Sequence, residues 1–174
     1  EPKKNFLMKI LITGAAGFIG FNFINFLLKK NKNIHVIGVD NLNDYYSVIL
    51  KRKRLQSLKT FKKFKFYKLD ISNFEDLNKI FKNEKIDVIF NFAAQAGVRY
   101  SILHPKKYND YNIVGFFNLI ELSRLHNIRK IFYASSSSVY GDSNDFPLKE
   151  NLKLRPKNIY ALSKKINEEM AELY

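Results

Sequence analysis

Hydrophobic positions along this chain fall into two alternating rhythms. Short apolar runs at 8–13, 34–40, 65–69, 87–92 and 130–134 have the length and composition of buried strands. Between them lie longer segments of helical period, at 18–30, 43–59, 72–82, 105–126 and 158–174. Ser72 followed by Glu75 forms a capping-box pair that predicts where the third helix opens. Strand and helix in strict alternation predict repeated βα units, hence an α/β fold with a doubly wound parallel sheet, the Rossmann arrangement. Residues 8–174 read as one domain without repeats or linkers, and residues 1–7 as an extension ahead of Met8. Five strands are one fewer than such sheets usually carry, so the sequence reads as incomplete for the architecture, with a C-terminal substrate-binding part absent.

Composition narrows the chemistry. The 174 residues include no cysteine, which excludes disulfides, thiolate metal sites and cysteine nucleophiles. His35, His104 and His126 lie too far apart for metal-ligand spacing, so no metal is expected. The apolar stretch 18–28 is short and interrupted by Gly20, Asn22 and Asn25, which argues against a membrane span, and the first residues lack a signal peptide's apolar core. A cytoplasmic setting is the expectation. The net charge of +14 is spread along the chain, and its densest segment, 51–68, reads as a solvated helix face; no nucleic-acid partner is expected.

Strand one runs into Thr13-Gly14-Ala15-Ala16-Gly17-Phe18-Ile19-Gly20. Glycines at this spacing permit a tight turn, a close approach to a pyrophosphate, and close packing of helix on strand. The helix that follows offers free N–H groups and its positive dipole end to phosphates. Asp40 ends strand two, 20 residues after Gly20, where a carboxylate accepts hydrogen bonds from ribose hydroxyls and repels a 2′-phosphate. The expected cofactor is therefore NAD. The plainer alternatives are a tight βα turn for the glycines and a turn residue for Asp40.

Of ten tyrosines, Tyr160 has Lys164 four residues on, the spacing that puts both on one helix face. A lysine beside a phenol favours the phenolate, so Tyr160 is the candidate base. The pair follows strand five and the run Ser135-Ser136-Ser137-Ser138, at the carboxyl edge of the sheet where ligands bind in such folds. The alternative for the pair is an ordinary amphipathic surface couple.

The glycine spacing, the serine run ending in Val139-Tyr140-Gly141, and the Tyr160/Lys164 pair together resemble extended short-chain dehydrogenases/reductases. Three stretches, 40–46 (DNLNDYY), 93–101 (AAQAGVRYS) and 134–141, are similar to UDP-glucuronate 4-epimerases, and the resemblance covers 8–174. It implies an isomerase that interconverts UDP-glucuronate and UDP-galacturonate through a 4-keto sugar, with hydride lent to NAD and returned. It implies that Ser136 hydrogen-bonds the sugar O4, that Tyr160 takes its proton, and that Lys164 holds the cofactor ribose and tunes Tyr160. It places Asn41, Asp70 and Ile71 at the adenosine end, and Ala93, Ala94 and Ala96 beneath the cofactor. Phe18 and Ile19 belong to the phosphate loop and Asn112 to the long helix. Arg99, Ser137 and Ser138 are candidates for binding the sugar's charge. An acid one or two places before Val139 would mark dehydratases and decarboxylases; Ser137 and Ser138 stand there instead. Other readings are a neutral-sugar 4-epimerase and a non-catalytic NAD-binding module. Relatives pair subunits through the helices of 105–126 and Tyr160, so a homodimer is expected.

Overall fold

The computed structural model describes residues 7–144 and 146–174; most of the proposed N-terminal extension lies outside the described residues. The chain runs β1 (Met8–Thr13), α1 (Phe18–Lys30), β2 (Ile34–Asp40), α2 (Val48–Leu58), β3 (Phe64–Lys68), α3 (Phe74–Asn83) and β4 (Val88–Asn91). There follow α4 (Val98–Leu103), α5 (Pro105–Tyr108), a π-helical turn (Asn109–Val114), α6 (Gly115–Leu125), β5 (Ile131–Tyr133), a 3-10 turn (Ser137–Tyr140) and α7 (Ile159–Leu173). The strands form one parallel sheet in the order β3-β2-β1-β4-β5, the doubly wound arrangement that the alternation predicts.

The inner strands β1, β2 and β4 are largely buried, which explains their mostly apolar sequences, while the edge strands β3 and β5 are only half-buried. Successive residues alternate between two cores. Leu11, Ile37, Val39 and Ile89 meet Leu77, Ile80 and Phe81 of α3 and Leu119 and Leu122 of α6. Ile10, Ile12 and Val36 meet Ile24 of α1 and Leu58 of α2 on the other face. At the amino edge of the sheet, buried Glu84 accepts hydrogen bonds from Lys9, Lys65 and Tyr67. Burial alone would push its carboxyl up, but those three donors hold it down to about 2.

Most boundaries fall within a residue of the sequence reading, and the larger departures have local reasons. The third helix is capped by Asn73, whose side chain accepts from the Asp76 N–H at 3.1 Å. Ser72 instead bonds Asp70, so the proposed Ser72/Glu75 box sits one residue early. The second helix begins at Val48 behind an Ser47 cap, leaving 43–46 as loop. The long helix expected at 105–126 runs without interruption over 105–125, as α5, the π-turn and α6 end to end. The short helix α4 was absent from the periodic pattern; Ile102 and Leu103 are solvent-exposed, so it lacks a buried stripe to announce it.

Candidate active site

The carboxyl ends of β1, β2 and β4 converge on one cleft. Its floor is the turn after β1. Gly14 has φ +67°, and a side chain there would begin 2.8 Å from the Ala93 nitrogen and the Phe92 carbonyl carbon. Gly14 thus lets the turn lie against the end of β4. Gly17 caps α1 without a side-chain hydrogen bond. Behind it, a Cβ on Gly20 would fall 2.2 Å from the Gly14 carbonyl oxygen, so the helix packs directly on its own entry turn. The N–H groups that open α1 lack intrahelical acceptors, as at any helix start. Phe18 and Ile19 lie outside the cleft lining and are 71% and 57% exposed.

Asp40 is buried beside this turn. Its Oδ2 accepts from the Ala16 N–H at 3.0 Å and its Oδ1 from the Leu42 N–H at 2.8 Å. Each oxygen keeps a lone pair, so the carboxylate both shapes the turn and can accept from a ribose hydroxyl. Asn41 Nδ2 donates to Asp70 Oδ2 at 2.8 Å, while Asp70 Oδ1 accepts from the Ser72 N–H and hydroxyl. The helix-entry role and the cleft-lining role of Asp70 coexist. Gly14, Gly17, Asp40, Asn41, Asp70, Ile71, Ala93, Ala94 and Ala96 all line the cleft. These residues fit a dinucleotide: a turn that tolerates no Cβ, an open helix start, small alanines, and a carboxylate with lone pairs left to accept from a hydroxyl.

The cleft also contains residues to which the sequence reading gave no site role: Asn43, Tyr45, Tyr46 and Gln95, from the stretches 40–46 and 93–101, together with Val39, Lys51, Leu69, Phe92 and Tyr111. Lys51 corrects the reading of 51–68 as a solvated face. It is 4% exposed, donates to the Asn43 carbonyl and side-chain oxygens at 2.8 Å each, and lies over the Tyr46 ring. Burial lowers its pKa; Asp40 and Asp44 oppose that shift. The signal was available, because Lys51, Leu55 and Leu58 are the buried positions of α2 at helical spacing. Arg54 likewise turns inward, donating to the Ala16 carbonyl at 3.1 Å and the Tyr46 hydroxyl at 3.0 Å.

The serine loop and α7 lie beyond this lining, where the sheet edge continues through β5. The Ala134 N–H donates to the Asn91 carbonyl at 3.2 Å, keeping the chain beside β4 as β5 ends. Lys164 Nζ donates to the Ala134 carbonyl at 2.9 Å. Burial pushes the Lys164 ammonium down to about 8. Ser136 caps the 3-10 turn by accepting from the Ser138 N–H at 3.2 Å. Ser137 is exposed and Ser138 half-buried. Tyr160 is half-buried in the first turn of α7, which Asn158 caps at 2.9 Å. Its ring stands edge-on to Tyr108, 6.1 Å between centroids. Tyr108 is buried, its hydroxyl shared between the Ala96 and Gly97 carbonyls, and burial pushes it up to about 12.

Asn112 does not line the cleft. It is buried, with Oδ1 accepting from the Gln95 N–H at 2.7 Å and Nδ2 donating to the Gln95 carbonyl and the Ser163 hydroxyl. Its side chain is thus engaged with protein groups, joining the cleft edge to α7. Arg99 is exposed on α4 and outside the lining.

A family model described as GDP-mannose 4,6 dehydratase matches residues 11–174. Protein CapI of Staphylococcus aureus is 52% identical over 169 residues, 96% of this chain and 49% of that protein. A UDP-glucuronate 4-epimerase of Thermodesulfobacterium geofontis is 46% identical over 165 residues, 94% of this chain and 50% of that protein. The crystal structure of UDP-glucuronic acid 4-epimerase from Bacillus cereus with UDP-glucuronic acid and NAD superposes with a TM-score of 0.88. It is 36% identical, over 96% of this chain and 52% of that one. The chain spans about half the length of the curated relatives it matches.

Proposed function

The chain belongs to the family described as GDP-mannose 4,6 dehydratase, among the extended short-chain dehydrogenases/reductases, and on that footing we propose that it provides the cofactor-binding and proton-transferring part of a UDP-glucuronate 4-epimerase. The observation that carries the proposal is the convergence of two units on one sheet edge. One is the cleft of Gly14, Asp40 and Ala93; the other is the Ser136, Tyr160 and Lys164 group just past β5.

NAD, when bound, supplies reversible hydride acceptance and return. The chain's own residues do the rest. The α1 start and the turn at Gly14 receive the pyrophosphate, and Asp40 accepts from the adenosine ribose. Ser136 holds the sugar O4 by a hydrogen bond, and Tyr160 removes the O4 proton and later gives it back. Lys164, its Nζ anchored on the Ala134 carbonyl, stands one helical turn beyond Tyr160 on α7 and holds the cofactor ribose. Ser137 and Ser138 stand where a dehydratase would carry an acid; hydroxyls hold a sugar carboxylate instead and leave nothing to expel a hydroxyl. Two copies pair through α6 and α7, where Phe117 and Leu162 are exposed.

The test uses the complete protein with UDP-glucuronate and NAD, with products separated by chromatography. UDP-galacturonate is expected, and Tyr160→Phe should cut turnover by about 10²–10⁴-fold while NAD still binds. Turnover of UDP-glucose but not UDP-glucuronate would sink the substrate assignment, and an undiminished Tyr160→Phe would sink the base.

A further inference from the structure

Two of the stretches singled out in the sequence, 40–46 and 93–101, are brought into contact by the fold. Tyr45 leaves the loop after β2 and reaches the turn after β4. Its ring lies 4.9 Å from that of Tyr100, tilted by 60°. Its hydroxyl occupies the space where a side chain on Gly97 would begin: a Cβ there would lie 2.5 Å from Oη and 3.6 Å from Cζ. Gly97 has φ +99°, a backbone that favours glycine, and any side chain there would displace the Tyr45 hydroxyl.

Each end of this contact is braced. On the β4 side, the Tyr108 hydroxyl holds the Ala96 and Gly97 carbonyls at 2.7 and 2.6 Å, and Lys107 donates to the Tyr100 hydroxyl at 2.9 Å. On the β2 side, Lys51 pins the loop at Asn43. Because β1 lies between β2 and β4 in the sheet, the Tyr45 contact bridges the two walls that flank the Gly14 turn. Tyr45 and Ala96 both line the cleft.

We propose that Tyr45, Gly97 and Tyr100 form a clasp across the cleft that holds the dinucleotide between turnovers, a role that rests on the cofactor reading above. A reaction that returns its hydride has no use for cofactor exchange, so slow release carries no penalty. Release requires the ring of Tyr45, 40% exposed, to swing off Tyr100. The clasp places these residues in cofactor retention and outside proton transfer.

The complete protein is loaded with NAD and mixed with excess etheno-NAD, and release is followed by the fluorescence of the displacing analogue. Tyr45→Ala should speed release about three- to tenfold, the range set by one aromatic pair. Gly97→Ala should also speed release, because the new methyl evicts the Tyr45 hydroxyl. In a Tyr45→Phe background the same Gly97→Ala change should cost much less, since the obstructing oxygen is gone while the strain at φ +99° persists. Melting temperatures of the cofactor-free variants separate these effects from loss of fold. Unchanged release in Tyr45→Ala would overturn the clasp, as would an equal effect of Gly97→Ala in both backgrounds. A wild-type protein that fails to bind NAD would overturn the cofactor reading and the clasp together, a result distinct from either.

Discussion

The ammonium of Lys164 is nearly sealed from solvent, with 4% of the residue exposed, and donates to the Ala134 carbonyl. Burial lowers its pKa from 10.5 to about 8. A shift of that size corresponds to about 3 kcal/mol of folding free energy set against the charged form. The penalty is absent above pH 10.5, where the side chain is neutral folded or unfolded. It develops as pH falls toward 8 and is complete below that. Lys164→Met removes the buried charge but leaves the Ala134 carbonyl without its donor, a loss of about 1–3 kcal/mol. At pH 7 the substitution should therefore stabilise the cofactor-free protein by about 1 kcal/mol, a few degrees in melting temperature for a chain of this size. The advantage should vanish or reverse near pH 11, and turnover should be lost at every pH. A variant less stable at pH 7, with no dependence on pH, would show that the ammonium is not a burden.

The π-helical turn at Asn109–Val114 was not separated from the helical pattern around it, because a shift of one residue, about 100° of phase, is hard to tell from ordinary scatter over so short a segment. Its consequence is spatial: Asn112 sits between Gln95 at the cleft edge and Ser163 on α7, and its carbonyl accepts from Asn167 at 2.7 Å. Ser163 in turn donates to the Tyr160 carbonyl at 2.7 Å. Asn112→Ala would strip partners from buried groups of Gln95 and Ser163, and should lower stability by about 2–4 kcal/mol in chemical denaturation. A loss within 0.5 kcal/mol would show that the joint is slack. Strands β1 and β2 were legible to the residue, because each apolar run stops at a polar residue, Thr13 or Asp40, at its carboxyl end. The glycine turn and Asp40 were legible too, since backbone geometry and charge restrict which residues serve there. The cleft positions of Tyr45, Gln95 and Tyr111 were not, although the first two lie in the stretches 40–46 and 93–101. They come from loops and an irregular turn, where no period ties position to burial, and they meet in the cleft only once the sheet order is known. Lys51 was hidden by its basic neighbours, although its phase with Leu55 and Leu58 gave it away.

At the level of the molecule, the net charge of +14 is less of a solvated excess than the sequence implied. Lys9 and Lys65 are committed to Glu84, Lys51 to the cleft, and Arg54 to the Ala16 carbonyl. Among the described residues, no helix is long and apolar enough to cross a membrane. The outer surfaces of α6 and α7 expose Phe117 (41%) and Leu162 (42%). If two copies pair there, Phe117→Glu should convert a dimer to a monomer in analytical ultracentrifugation, with little change in the melting temperature of the single subunit. A wild-type protein that sediments as a monomer would remove the dimer. The sheet order has a further consequence, for synthesis. β1 is the central strand, and it pairs on one side with β2, which follows at once, but on the other with β4. Asp87, which receives the Lys9 N–H as β4 begins, lies 78 residues after it. At roughly 5–20 residues per second, a ribosome needs about 4–16 s to cover that distance. For that interval the Ile-Leu-Ile core of β1 has one unpaired edge and no neighbour to fill it. The nascent chain is then a ready client for any chaperone that binds short apolar segments in extended form.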